Sequence, residues 1–402
     1  MKAMLNRVYE NNQFYRNKLD RFGIKPEKIN TINELRHLPF TTKEELRDLY
    51  PLGLQAVSDE EIIRIHSSSG TTGKPIIIPY TRTDIDIWTT MMQRCFEVAG
   101  VTKRDRIQIT PGYGLWTAGI GFQAGVESLG AMAVPMGPGN TDKQIQMMVD
   151  LQTTVLIGTS SYGLVIAEEI QKRNIKDSVA LQKGIFGSER WGQKMRERIT
   201  KELGIEVFDI YGLTEIYGPG IAIDCQYHEG MHYWNDHLIF EIIDPITEEP
   251  LSEGEVGELV ITTFTKEGAP LIRYRTRDLT RIIPGQCKCG LQYPRIDRII
   301  GRTDDMVKVK GVNIYPGQID EVLSKINGVS SEYNIVIQHN DGKDVMTLRV
   351  EVENEGLAFE LGKCVEESFK KAVGIQIFVE TVGIGALPRS EKKTKRVYDY
   401  RD

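Results

Sequence analysis

The sequence predicts an α/β protein in two parts: a large N-terminal domain of parallel α/β sheets with a β-rich subdomain, and a small mobile α+β domain at the C-terminus. Three observations carry this reading. From about residue 85 to 215, helix-patterned stretches alternate with short β-rich runs, the pattern of parallel βαβ units. After residue 220, strand-like segments follow one another with only turn residues between them. From about residue 304, helices and strands mix again in a short module. The expected domains are residues 1–303, with the β-rich subdomain at about 220–300, and residues 304–402.

In chain order, residues 4–19 space their apolar positions as a helix does, and Thr42-x-x-Glu45 has the form of a capping box ahead of Leu46 and Leu49. The β-rich runs that follow are RIQIT (106–110), AMAVPM (131–136), TVLIG (154–158), GIFGS (184–188) and EVFDIYG (206–212). Parallel sheets of this kind gather ligands at the carboxyl ends of their strands. HLIFEIIDP, GELVITTF, LIRYRTRD and LTRIIP supply the β-rich subdomain. The last module reads as a helix near 316–325, strands near 332–338 and 344–353, a helix near 356–372, and then IQIFVETV.

At 402 residues the chain has room for two or three domains, and 40% hydrophobic with 26% charged residues is ordinary for a soluble globular protein. A net charge of −6 provides no basic field for nucleic acid or a membrane surface. The opening MKAMLNRVYENNQFY lacks the apolar run of a signal peptide, and no window reaches the ~18 apolar residues of a membrane span. A cytoplasmic enzyme is expected. Five cysteines in so long a chain make no disulfide scaffold. Cys95 and Cys364 lie in amphipathic, helix-like surroundings and read as packing residues.

The strongest chemical signal is Ser67-Ser68-Ser69-Gly70-Thr71-Thr72-Gly73-Lys74-Pro75. Its glycines reach backbone conformations that other residues resist, so bare N–H groups can wrap an anion, with hydroxyls and a lysine adding donors for phosphate oxygens. It is not the G-x-x-x-x-G-K-[ST] pattern, and the plain alternative is a flexible linker. Tyr211-Gly212-Leu213-Thr214-Glu215 follows a strand; a carboxylate there suits Mg²⁺, which takes one or two carboxylates plus phosphate oxygens. The alternative is an ordinary strand-to-loop turn. Tyr274-Arg275-Thr276-Arg277-Asp278 offers an aspartate for two sugar hydroxyls, or else a charged sheet edge. Gly301-Arg302-Thr303-Asp304-Asp305 begins the small module as a hinge or a linker turn. Pro388-Arg389-Ser390-Glu391-Lys392-Lys393-Thr394-Lys395-Arg396 is either a solvated basic tail or the carrier of a mobile lysine for a polyphosphate.

Taken in order, SSSGTTGKP, DIYGLTE, TKEGAPLIRYRTRDLT, GRTDDM and GVNIYPGQIDEVL resemble the adenylate-forming superfamily, and within it the phenylacetate–coenzyme A ligase family, from about residue 7 to the end. The resemblance implies that Ser69, Thr71, Thr72, Gly73 and Lys74 cover the ATP phosphates. Ser188, Glu189, Asp209, Tyr211 and Gly212 would surround the adenine, Thr214 would touch the α-phosphate and Glu215 the Mg²⁺. Asp278 would hold the ribose with Arg302 nearby, Asp304 would be the hinge, and Lys393 the catalytic lysine of the small domain. The family pattern has Glu-Gly-Lys where this chain has Glu391-Lys392-Lys393, so Lys392 competes with Lys393 for that role. The chain also begins later than the resemblance leads one to expect, so an N-terminal helix of the family is expected to be missing.

The activity so implied is formation of an acyl-adenylate from ATP and a carboxylic acid, then transfer of the acyl group to the thiol of coenzyme A. Tyr113, Gly114 and Trp116, ahead of a glycine-rich helix, together with Tyr217, are expected to line the acid pocket, where aromatic rings would stack on an arylacetic or aryl acid. Expected partners are that acid, ATP and coenzyme A, with a homodimer allowed for. Two alternatives stand beside this: an adenylyltransferase that passes AMP or the acyl group to a cofactor or carrier protein, and an inactive nucleotide-binding protein. The intact Lys393, Glu215 and Asp278 argue against the last.

Cys287-Lys288-Cys289-Gly290 places two thiolates on one tight loop, and Cys225, His228 and His232 lie on an earlier one. Cys225, His232, Cys287 and Cys289 are the expected ligands of a structural Zn²⁺, with His228 as the alternate and free cysteines as the competing reading.

Overall fold

A computed structural model describes residues 1–68, 74–340, 343–389 and 395–401. Among these the central feature is a nine-stranded sheet. Its order is Ile282–Ile283, Arg295–Ile296, Met231–Tyr233, Gly218–Asp224, Glu206–Leu213, Lys183–Gly187, Val155–Thr159, Arg106–Ile109 and Met132–Pro135. The five strands from Glu206–Leu213 to Met132–Pro135 are mutually parallel, as the alternating pattern predicts. Helices cover both faces, so Val155–Thr159 and Lys183–Gly187 are buried almost throughout and read as continuous apolar runs.

One of the two helix layers is packed unusually close. In helix Ala118–Leu129 a Cβ at Gly121 would stand 2.3 Å from the Trp88 ring, and one at Gly125 would stand 2.5 Å from Met92. Trp88 and Met92 belong to helix Arg82–Val98, which therefore lies against the backbone of its neighbour. That is the physical reason for Gly121 and Gly125.

The stretch at about 220–300 does not form one β unit. Gly218–Asp224, Met231–Tyr233, Ile282–Ile283 and Arg295–Ile296 extend the large sheet with antiparallel strands. Leu238–Ile243, Gly257–Thr263, Tyr274–Thr280 and Gly301–Arg302 form a separate antiparallel sheet. The N-terminal helical stretch is also divided, into Lys2–Asn11 and Gln13–Arg21. Asn12 between them is extended, and its side chain accepts from Tyr15 N–H at 3.0 Å, capping the second helix. The Thr42–Glu45 capping box is present as expected.

Residues from Val307 onward build a second hydrophobic core, which includes Ile319, Ile335, Leu348, Val365 and Phe369. Its sheet runs Phe378–Gly383, Lys343–Val352, Val329–Asn340, Val397–Tyr400. The last strand pairs in parallel with Val329–Asn340, which anchors the chain after the Lys392–Lys393 segment. This module meets the rest of the chain through Arg190 with Asp320, Arg190 Nη2 to the Tyr333 hydroxyl (3.2 Å), Lys194 Nζ to the Val329 carbonyl (2.6 Å) and Arg389 with Glu168. Cys95 is buried, as expected; Cys364 is instead exposed on helix Ala358–Val373, on the face turned away from the core.

Candidate active site

The carboxyl ends of Arg106–Ile109, Val155–Thr159, Lys183–Gly187 and Glu206–Leu213 lie side by side in the sheet. The chain leaves these ends through Tyr113–Trp116, Ser160–Ser161, Ser188–Glu189 and Thr214–Glu215. Ser188 has a left-handed backbone (φ 69°), which turns the chain sharply after its strand. Glu189 Oε1 accepts from Ser160 Oγ at 3.0 Å and Ser161 N–H at 2.6 Å, a carboxylate seated on the first turn of helix Ser160–Arg173.

The next strand carries three of the expected residues. Asp209 N–H donates to Asp224 Oδ1 at 2.8 Å, and burial pushes the Asp209 carboxyl up to about 6. Gly212 has no room for a side chain, because a Cβ would meet the Gly218 carbonyl at 2.0 Å. The Tyr211 hydroxyl donates to Asp278 Oδ2 at 2.6 Å across the two sheets. Arg302 Nη1 donates to Asp278 Oδ1 at 2.8 Å, and the same guanidinium holds Asp304 at 2.8 and 2.9 Å. Asp278 is 5% exposed, and burial raises its pKa against the pull of Arg302. A carboxylate has about four lone-pair sites, so two donors leave it with capacity for two hydroxyls. Tyr211, Asp278, Arg302 and the expected hinge Asp304 are thus one hydrogen-bonded chain.

Glu215 lies just past the strand end, 5% exposed. Lys43 Nζ faces its carboxylate at 3.4 Å. Lys43 opens the short helix that the Thr42 capping box starts, so a cap legible in the sequence positions this cation. A carboxylate is the kind of ligand that Mg²⁺ takes alongside phosphate oxygens. Thr214 is half-buried beside it.

Tyr113 and Trp116 follow strand Arg106–Ile109, with Gly114 between them at φ +87°. The Tyr113 hydroxyl is buried with no hydrogen-bond partner among the described residues, and loss of solvation pushes it up to about 12. Trp116 is 43% exposed. Tyr217 does not join them at an accessible wall: it is fully buried, its ring 4.0 Å from Lys266 Nζ. Lys266 is itself buried and also lies 3.8 Å from the Tyr80 ring. The backbone after Glu215 turns inward, so Tyr217 becomes core.

The phosphate loop is met only at its ends. Ser69, Thr71, Thr72 and Gly73 lie outside the described residues, as do Lys392 and Lys393. Ser68 closes the hairpin Arg64–Ser67/Ile77–Tyr80 by accepting from Ile76 N–H at 2.9 Å, and Ser67 N–H donates to the Leu115 carbonyl at 2.8 Å. The loop therefore starts beside Tyr113–Trp116. Lys74, at its far end, is exposed.

Behind this edge, Cys225, His232, Cys287 and Cys289 bring their ligand atoms within 4.8 Å of one another. His228 is not among them, because it contacts Asp224 Oδ2 at 2.9 Å and Arg196 Nη1 at 3.0 Å.

A mostly parallel sheet whose strand ends gather the buried carboxylate of Glu215 and a tyrosine bonded to the buried Asp278 of the neighbouring sheet is the layout of an α/β enzyme site. The family model "AMP-binding enzyme" matches residues 13–264, and "AMP-binding enzyme C-terminal domain" matches residues 311–401. The chain is 41% identical to the phenylacetate-coenzyme A ligase of Escherichia coli, over 100% of this chain and 93% of that protein. It is 39% identical to that of Thermus thermophilus, over 100% and 95%. The chain belongs to the phenylacetate–coenzyme A ligase family of adenylate-forming enzymes. Among solved structures, a 2-hydroxyisobutyryl-CoA ligase in its postadenylation state superposes with a TM-score of 0.90 at 26% identity, covering 100% of this chain and 88% of that one. The same ligase in its thioesterification state gives 0.72 at 27% identity, covering 100% and 90%.

Proposed function

We propose that this chain is an AMP-forming acid–coenzyme A ligase whose acid is phenylacetate or a close aryl analogue. The observation that carries this is the 41% identity along the whole chain to a phenylacetate-coenzyme A ligase, in a chain whose Tyr211 and Glu215 stand at one strand end with Asp278 of the neighbouring sheet bonded to Tyr211. In the first step a carboxylate oxygen of the acid attacks the α-phosphorus of ATP and pyrophosphate leaves. The acid is already ionised at neutral pH, so no general base is required. In the second step the thiol sulfur attacks the acyl carbon, the bond from that carbon to the AMP oxygen breaks, and the thiol proton is released.

Within this reading, Asp278 takes the ribose hydroxyls, while Tyr211 and Arg302 hold its carboxylate still. Glu215 would hold Mg²⁺, which when bound draws off charge from the phosphate oxygens. The loop of Ser69, Thr71, Thr72, Gly73 and Lys74 would close over the phosphates, and Lys393 would reach the leaving oxygens. Tyr113 and Trp116 would face the aryl ring. A rotation of the module after Asp304 between the two steps is supported by the match of 0.90 to one state of a related ligase against 0.72 to the other. Dependence on diffusible ATP and coenzyme A supports a cytoplasmic enzyme, and no helix among the described residues is long and apolar enough to cross a membrane.

The test is AMP and pyrophosphate release across a panel of aryl and alkyl acids, with and without coenzyme A. Phenylacetate should give the highest kcat/KM, with thioester formed only when the thiol is present. ADP as the nucleotide product, or an alkyl acid preferred by more than tenfold, would overturn the assignment.

A further inference from the structure

The geometry points to a structural zinc site that braces the nucleotide pocket from behind. Cys225 Sγ and Cys287 Sγ stand 3.6 Å apart, and Cys289 Sγ stands 3.3 Å from His232 Nε2. A tetrahedral ion with Zn–S bonds of about 2.3 Å has edges of roughly 3.8 Å, close to these separations. A disulfide needs about 2.05 Å. His232 Nδ1 lies 2.8 Å from the Tyr293 carbonyl and donates to it, which leaves the Nε2 lone pair facing Cys289. Three thiolates and an imidazole are soft donors that select zinc over Mg²⁺ or Ca²⁺. Cys225, His232 and Cys287 are buried and Cys289 half-buried, so the four ligands close the coordination shell with no place for a reacting water.

The ligands come from three segments of the antiparallel extension. Cys225 follows strand Gly218–Asp224, His232 is on Met231–Tyr233, and Cys287 and Cys289 sit on the link from Ile282–Ile283 to Arg295–Ile296. Cys225 is adjacent to Asp224, whose carboxylate takes Asp209 N–H at 2.8 Å and Arg196 Nη2 at 2.8 Å. Asp209 precedes Tyr211 by two residues on the strand that reaches the ribose-type clamp. A metal fixed at Cys225 therefore holds Asp224, and Asp224 holds the backbone of the nucleotide strand. The role is positioning. The ion touches no reacting atom, and its presence or absence does not depend on which acid or thiol the enzyme takes.

The experiment starts with metal analysis of the full chain purified from zinc-replete cells without a metal-affinity step. One zinc per chain is expected. Exchange for Co²⁺ should give the intense visible bands of a tetrahedral thiolate site in the unmutated chain, so this readout needs no variant to fold. Cys289→Ser should bind zinc at least tenfold more weakly and raise KM for ATP severalfold, with KM for the acid unchanged; Cys364→Ser, at the exposed cysteine, should retain the metal. Absence of stoichiometric zinc, a Cys225–Cys287 disulfide found by mass spectrometry, or an octahedral cobalt spectrum would overturn the site. Zinc loss that leaves KM for ATP unmoved would overturn its bracing role. None of these outcomes bears on whether acyl-adenylate forms.

Discussion

Glu168 offers a clean perturbation of the contact between the C-terminal module and the rest of the chain. Arg389 Nε lies 3.1 and 3.2 Å from its two oxygens, and Nη2 lies 2.9 Å from Oε1. Arg389 also holds Glu351 of its own module at 2.8 and 2.9 Å, so changing the arginine would strip a buried carboxylate as well. Glu168→Gln keeps the shape and removes the charge. It weakens a bond to Arg198 too (2.8 Å), but Arg198 and Glu168 both lie outside the module, so that loss cancels between module positions. Fully exposed ion pairs contribute ~0.2–1 kcal/mol, and hydrogen bonds to charged groups ~1.5–3 kcal/mol. Side-chain exposures of 16% for Arg389 and 26% for Glu168 put this pair between those limits. A loss of about 1–2 kcal/mol moves the balance between module positions by roughly 5–30-fold. The assay separates the half-reactions: pyrophosphate exchange for adenylation, and thioester formation from supplied acyl-adenylate for the second. Adenylation should fall by up to that factor, with the second step unchanged or faster. Equal losses in both steps, or no change in either, would refute the reasoning.

Tyr211→Phe removes the O–H that donates to Asp278 and leaves the ring in place; KM for ATP should rise about tenfold, as the loss of one charge-assisted hydrogen bond implies, with KM for the acid unaffected. Kinetics with ATP and acid varied separately would show this, and an unchanged KM for ATP would remove Asp278 from the ribose. Lys266→Met should alter how stability depends on pH. Burial depresses the Lys266 pKa to about 7, whereas an unfolded lysine titrates near ~10.4, so between these values the unfolded chain holds the proton and the folded chain does not. Stability from this group therefore rises with pH across that window, and the cost is fully present below it. The Tm gain of Lys266→Met over the unmutated chain should be largest near pH 6 and shrink towards pH 10, and a gain independent of pH would contradict it.

The parallel strands were legible because each is a short apolar run between helix-patterned segments, and their bounds differ from the structure by a residue or two. The strand Val397–Tyr400 was not, since VYDY is short and polar and is held by pairing with a strand about sixty residues away in sequence. The β-rich stretch was recognised as strand, but no local pattern says which of two sheets a strand joins; that is decided by long-range pairing. In the site, the resemblance sets Arg302 near Asp278 but leaves Tyr211 and Asp304 apart from them, and only the fold shows all four as one chain of bonds. Lys43 and Asp224 escaped notice because their partners, Glu215 and Asp209, approach through tertiary packing rather than through any motif. Tyr217, expected as pocket lining, is buried against Lys266, and an aromatic two residues after Glu215 looks the same in sequence whether it faces inward or outward.

Acyl-adenylate formation makes one oxygen of the acid a bridging oxygen to the α-phosphorus, and thiol attack leaves that oxygen on AMP. The direct measurement is mass spectrometry of the products after turnover of ¹⁸O-carboxylate-labelled phenylacetate with ATP and coenzyme A. A single labelled oxygen in AMP, with none in pyrophosphate, is the predicted result; unlabelled AMP, or label in inorganic phosphate beside ADP, would contradict it.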